Sequence, residues 1–137
     1  MDKQTSIEQG ELLLSVGVER NTHDLCYLAS ICDANGIVFD EPRFHLSSRF
    51  VNGRDIYGIP CWSLGRLLDL LPITIDGDRA DGYSLTMWKS PGEHSWTIEY
   101  FSEEKGRKAQ FSGQYVDAVV SMIQWLRENR YELINNN

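Results

Sequence analysis

The chain has 137 residues, 42% of them apolar and 24% charged, enough for one domain with a buried core and no need of staples. Thirteen basic residues against twenty acidic ones leave a net charge of −7. That balance excludes sequence-independent binding to nucleic acid, which draws on Lys and Arg displacing phosphate counterions, and it repels anionic membranes; no run approaches the ~20 apolar residues that span a bilayer.

Residues 1–10 are polar and predict a flexible lead. Met1-Asp2-Lys3-Gln4-Thr5 lacks the apolar core of a secretory signal. Cys26, Cys32 and Cys61 form no paired framework, so reduced thiols in a cytoplasmic protein are expected. Residues 11–19 predict a short strand, although Leu12-Leu13-Leu14 suits a helix as well. Asn21 or Thr22 then has the chemistry of an N-cap. Leu25, Leu28, Ala29 and Cys32 recur at helical spacing and Gly36 suits a helix stop, which predicts a helix over 22–34.

Phe44, Leu46 and Phe50 alternate in part with polar residues and predict a strand over 42–50, followed by an Asn52-Gly53 turn. A short helix is expected over 62–71, from Trp62 to Leu71, with Pro60 before it and Pro72 ending it. Residues 76–82 form a loop. Tyr83, Leu85 and Met87 then alternate with Ser84, Thr86 and Trp88. After a Ser90-Pro91-Gly92-Glu93 turn, Trp96, Ile98 and Tyr100 alternate with Ser95, Thr97 and Glu99. Pairing Met87 with Trp96, Leu85 with Ile98 and Tyr83 with Tyr100 places every apolar pair on one face. A third strand over 107–112 adds Ala109 and Phe111 to that face. A helix over 114–129 carries the matching stripe Tyr115, Val119, Met122, Ile123 and Leu126. Residues 135–137 read as a tail. The expected fold is therefore α+β: an antiparallel sheet of three to five strands, with a meander over 83–112 packed on one face by the C-terminal helix and two shorter helices, in a single domain over 11–134.

The order Pro60-Cys61-Trp62-Ser63-Leu64, Leu67-Leu68, Leu71-Pro72, a tryptophan-bearing hairpin, Asp117-Ala118 and Trp125-Leu126-Arg127-Glu128-Asn129, with Phe39-Asp40-Glu41-Pro42 upstream, resembles a group of small uncharacterised proteins encoded in phage-like and other mobile elements of gut anaerobes. The resemblance covers roughly residues 22–134 and rests on order and spacing. It implies a helix opening near Trp-Ser-Leu, a sheet and a closing helix, but no activity, substrate or site.

Chemistry-bearing residues are sparse. His23 and Cys26 lie three apart, with Cys32 further on, but no C-x-x-C or H-E-x-x-H pattern completes a zinc site, and the residues read as structural; no metal or cofactor is expected. Cys61 before a helix start could be a nucleophile if a histidine lay beside it; otherwise it is a partly buried thiol. The loop from Asp76 fails the calcium-loop pattern, having Ala80 and Asp81 at positions five and six and Met87 at position twelve. Phosphate-cradling and nucleophile-elbow motifs are absent. The hairpin register puts Trp88 on the outer face with Thr86, Glu99 and Phe101. Two arrangements remain open there: an N-terminal segment or the first helix covers that face, or the aromatics form a contact surface. The leading expectation is a non-catalytic accessory or protein-interaction domain, with a protein partner or self-association through Trp88, Phe101, Thr86 and Glu99. The alternative is a small-ligand binder or enzyme with a thiol or carboxylate site between helix and sheet. An acidic mimic of nucleic acid ranks last, because the carboxylates are spread evenly.

Overall fold

The computed structural model describes residues 3–91 and 95–136. Ser6 opens the first helix, α1 (Ile7–Ser15). Its hydroxyl accepts from the Gln9 N–H at 3.1 Å, and the Gln9 side chain accepts from the Ser6 N–H at 2.9 Å. This reciprocal cap satisfies two donors that a helix start leaves orphaned. It explains why a helix forms where a strand was expected over 11–19. Leu13 enters the core, with Leu12 and Leu14 packed against it. The lead expected to be flexible is held as well: Thr5 is buried, and its N–H donates to the Trp62 carbonyl at 2.9 Å.

Residues expected to form a helix over 22–34 instead give β1 (Leu25–Cys32), after a single 3-10 turn at Arg20–Thr22 that takes up the supposed N-cap. At its base β1 has protein on both faces, so Leu25 and the buried Cys26 are apolar in succession and the period of two is lost. Gly36 does take a left-handed conformation, φ 81°, but it does so in the turn leading to β2 (Val38–Ser48). A small hairpin follows, β3 (Phe50–Val51) and β4 (Arg54–Asp55). Its turn needs positive φ at both central residues, and Asn52 (51°) and Gly53 (78°) supply it, as the Asn-Gly pair predicts. With β5 (Ile59–Cys61), a three-stranded sheet forms in the order β2-β1-β5.

The helix expected over 62–71 is α2 (Leu64–Leu70), capped by the Ser63 hydroxyl on the Arg66 N–H. The second sheet has the order β6-β7-β8-β9, from β6 (Thr74–Ile75), β7 (Tyr83–Lys89), β8 (Trp96–Ser102) and β9 (Gly106–Gly113). Met87 pairs with Ile98 and Leu85 with Tyr100, so the hairpin is slipped by two residues from the expected register. A slip of two returns each side chain to its own face, which is why Ile98 and Tyr100 are buried as foreseen. The Gly92-Glu93 part of the predicted turn lies outside the described residues. Ala109 and Phe111 extend the apolar face opposite Tyr100 and Ile98.

Helix α3 (Tyr115–Glu128) covers that face with the predicted stripe, Val119, Met122, Ile123 and Leu126 all being fully buried. Together the sheets and helices give the α+β fold that was expected. Helix α1 takes the place of the helix that 22–34 does not form. A Cβ at Gly10 would lie 2.8 Å from the Pro60 carbonyl oxygen, so glycine lets α1 seat directly on β5. Asn136, within the expected tail, accepts from the Glu19 N–H at 2.6 Å and donates to the Gly17 carbonyl at 3.1 Å, which ties that segment to the end of α1. Among the described residues, no helix is long and apolar enough to cross a membrane.

Candidate functional site

The two sheets differ in how they treat their apolar residues. The α3-covered sheet hides those beneath α3, while Met87, Trp88 and Phe101 stay partly exposed. The β1–β2 hairpin does not hide its own, and the reason lies in its pairing. Strand β5 reaches only the base of β1, at Leu25, Cys26 and Tyr27. Beyond Tyr27 the hairpin continues as a two-stranded ribbon, an arrangement marginal in water by itself.

The ribbon is two-faced. Tyr27 lies opposite Leu46 and Ala29 opposite Phe44, all on one side; Leu28 lies opposite His45 and Ser30 opposite Arg43 on the other. One side is therefore apolar and free of charge, the other mostly polar. The apolar side is covered at its base only, where the Tyr27 hydroxyl donates to the Thr5 carbonyl at 2.6 Å. Further out Phe44 is 45% and Leu46 47% exposed, and at the tip Ile31, Ile37 and Val38 are more exposed still. Val38 pairs with Cys32, on the Leu28 and Ser30 side, so the other four leave on the order of 400 Å² of surface in water, the size of the largest patch on an ordinary monomer, which is often a functional one.

The tip is ordered by the Asp33 carboxylate, which accepts from the N–H groups of Asn35 (2.8 Å) and Ile37 (2.9 Å). Between Arg43 and Val38 the β2 strand bulges against Ser30 and Cys32 of β1, and Pro42 falls within that stretch. Asp40, Glu41 and Pro42 together blunt the outer edge of β2 against strand addition.

The base of the ribbon is locked. Arg49 holds Asp55 through two bonds, at 2.9 and 3.2 Å, and donates to the carbonyls of Asn21 (2.6 Å) and His23 (3.2 Å). The hydrogen bond from Arg49 holds the Asp55 carboxyl below its ordinary range. His23 packs edge-on against Trp62 with its Nδ1 at the Arg20 carbonyl, and burial pushes its pKa down. These groups form a structural staple, every one of them occupied within the chain.

A cleft of about 500 Å³ opens between α1 and the ribbon base, lined by Gly10, Leu14, Tyr27, Leu28, Tyr57 and Pro60. Glu11 and Arg20 line it too, but none of the three cysteines does. Cys61 is fully buried behind Pro60, exchanging weak bonds with Thr5, and burial raises its pKa, the opposite of what a reactive thiolate needs. The N-terminal end of α2 does not help it, because the Asp24 carboxylate already accepts from the Ser63 N–H at 2.8 Å. Cys26 is buried and Cys32 exposed. No group of three or more His, Cys, Asp or Glu residues able to hold a metal occurs among the described residues.

The residues singled out on the outer face of the second sheet are placed as follows. Trp88 is 41% and Phe101 40% exposed, and Thr86 is exposed. The two aromatics are not neighbours: Trp88 pairs with Thr97 and Phe101 with Ser84, roughly 13 Å apart along the strands. Glu99 lies between them, buried, its carboxylate accepting from Arg107 at 3.0 Å and Gln110 at 3.4 Å. Those bonds engage the Glu99 carboxylate within the sheet.

No family model, curated protein or solved structure matches this chain. The ribbon, missed from sequence because β1 was read as helix, is the larger uncovered surface. Its signal was present in the alternation of Phe44 and Leu46 with Arg43, His45 and Ser47.

Proposed function

We propose that this chain is a non-catalytic protein-interaction domain whose contact surface is the apolar side of the β1–β2 ribbon. One observation carries the reading: Ala29, Phe44 and Leu46 form an uncharged side at and beyond the end of β5, and among the described residues no element is laid over it. Burying such a side is worth about 25 cal/mol per Å², so a protein partner that covers it gains a driving force the chain alone does not use. Trp88 and Phe101 flank a separate, smaller surface. The alternative, a small-ligand or enzyme site built on a thiol or carboxylate between helix and sheet, loses its thiol, since Cys61 is buried with its pKa raised, and is left with Glu11 in the cleft beside α1.

A photo-crosslinking residue placed at Leu46, compared with the same residue at Gln124 on the outer side of α3, tests this in the producing cell. Adducts should form from position 46 alone and vanish when Phe44→Lys is added. Absence of adducts at 46, or equal yields from both positions, would refute the reading.

A further inference from the structure

On the interaction reading just given, the remaining question is what lies on the ribbon. We infer that it is the ribbon of a second copy, packed face to face about a two-fold axis.

Three features favour a copy over a foreign strand or helix. The first is shape. On the apolar side a large side chain, Phe44, stands directly beside the smallest, Ala29, across the strand pair. A two-fold axis passing near that pair sets each Phe44 into the hollow over the partner's Ala29, the reciprocal contact an isologous interface requires. The second is charge. Two copies each carrying −7 meet only through a surface without like charges, and Tyr27, Ala29, Phe44 and Leu46 supply one. A basic partner would be met by carboxylates, and none of these four residues is one. The third is the edge. Asp40, Glu41 and Pro42 interrupt the outer edge of β2, which disfavours growth of the sheet by strand addition there and leaves the face.

Two ribbons stacked about 10 Å apart form a small sandwich, so each ribbon supplies the second layer the other lacks. The two patches together bring roughly 800 Å² into the contact, the size of a weak, transient encounter. The dimer is accordingly a weak one, in exchange at micromolar concentration.

Sedimentation velocity of the full chain from about 5 to 200 µM at physiological salt should show a concentration-dependent monomer–dimer equilibrium. Phe44→Lys places a charge twice in the interface, and Ala29→Phe fills the hollow. Each should weaken the dimer at least ~100-fold while circular dichroism and melting show a folded chain, and Trp88→Lys should change nothing. A chain that stays monomeric throughout, or a dimer indifferent to both ribbon substitutions, overturns the inference. The crosslinker at Leu46 separates the two readings. A monomeric chain whose position 46 captures a different protein defeats self-pairing and leaves the ribbon as the contact surface. A monomer without adducts defeats both.

Discussion

Gly10→Ala sets two opposing effects against each other at the seat of α1. Alanine is favoured over glycine inside a helix by about 0.8–1 kcal/mol, so an exposed site would gain stability. Here the new Cβ would sit 2.8 Å from the Pro60 carbonyl oxygen, when ordinary contact begins at 3.4 Å. Backbone lies on both sides, so helix and strand must part by about 0.6 Å, and overpacking of that kind costs about 1–3 kcal/mol. The clash wins by about 1 kcal/mol, and the urea midpoint falls by about 0.5 M at an ordinary slope. Gly65→Ala in α2 is the matched control. Its Cβ would meet nothing within 4 Å, so only the conformational gain remains and the midpoint rises. Equilibrium urea unfolding followed by tryptophan fluorescence reads both. If the two variants moved in the same direction, the close seating of α1 on β5 would be wrong.

Two further outcomes follow from burial. A thiol reagent added to the native protein should label Cys32 quickly and leave Cys26 and Cys61 untouched until denaturant is added, because both are buried with raised pKa; fast labelling of Cys61 would revive the thiol alternative. The pKa of His23 is lowered mainly by burial, so below its unfolded value of about 6.5 the unfolded chain binds a proton that the folded chain resists, and stability must fall as pH drops through that value toward the lower folded one. Urea curves at pH 7.5, 6.5 and 5.5 should show this decline, and His23→Gln should flatten it; an unchanged slope in the variant would assign the decline elsewhere.

How much was legible in the sequence depended on how many sides of each element are buried. The β7–β8–β9 meander has one wet and one dry face, so its alternation reads directly and survives even a wrong register. Helix α3 likewise presents one stripe to the sheet. Strand β1 was illegible because its base is enclosed on both faces and its outer half on neither. Leu25, Leu28, Ala29 and Cys32 then imitate a helical stripe, and only the partner strand shows otherwise. The cap of α1 was readable in Ser6-x-x-Gln9, but the polarity of residues 1–10 masked it. The ribbon surface follows the same rule. Phe44 and Leu46 announced a strand, yet their exposure depends on where β5 stops pairing, and that is a property of chain path rather than of local pattern.

Thr5 gives the ribbon its direction. Its hydroxyl accepts from the Trp62 N–H at 3.1 Å, its N–H reaches the Trp62 carbonyl, and its own carbonyl takes both the Tyr27 hydroxyl and the Cys61 thiol. A single residue, remote in sequence from β1 and β2, therefore acts as the pin of a joint between the projecting arm and the body. Drawing that pin from its slot would cost Tyr27 and Cys61 their bonds to it in one movement, and leave the arm's bearing to the pairing of β1 with β5 and to the Arg49 network.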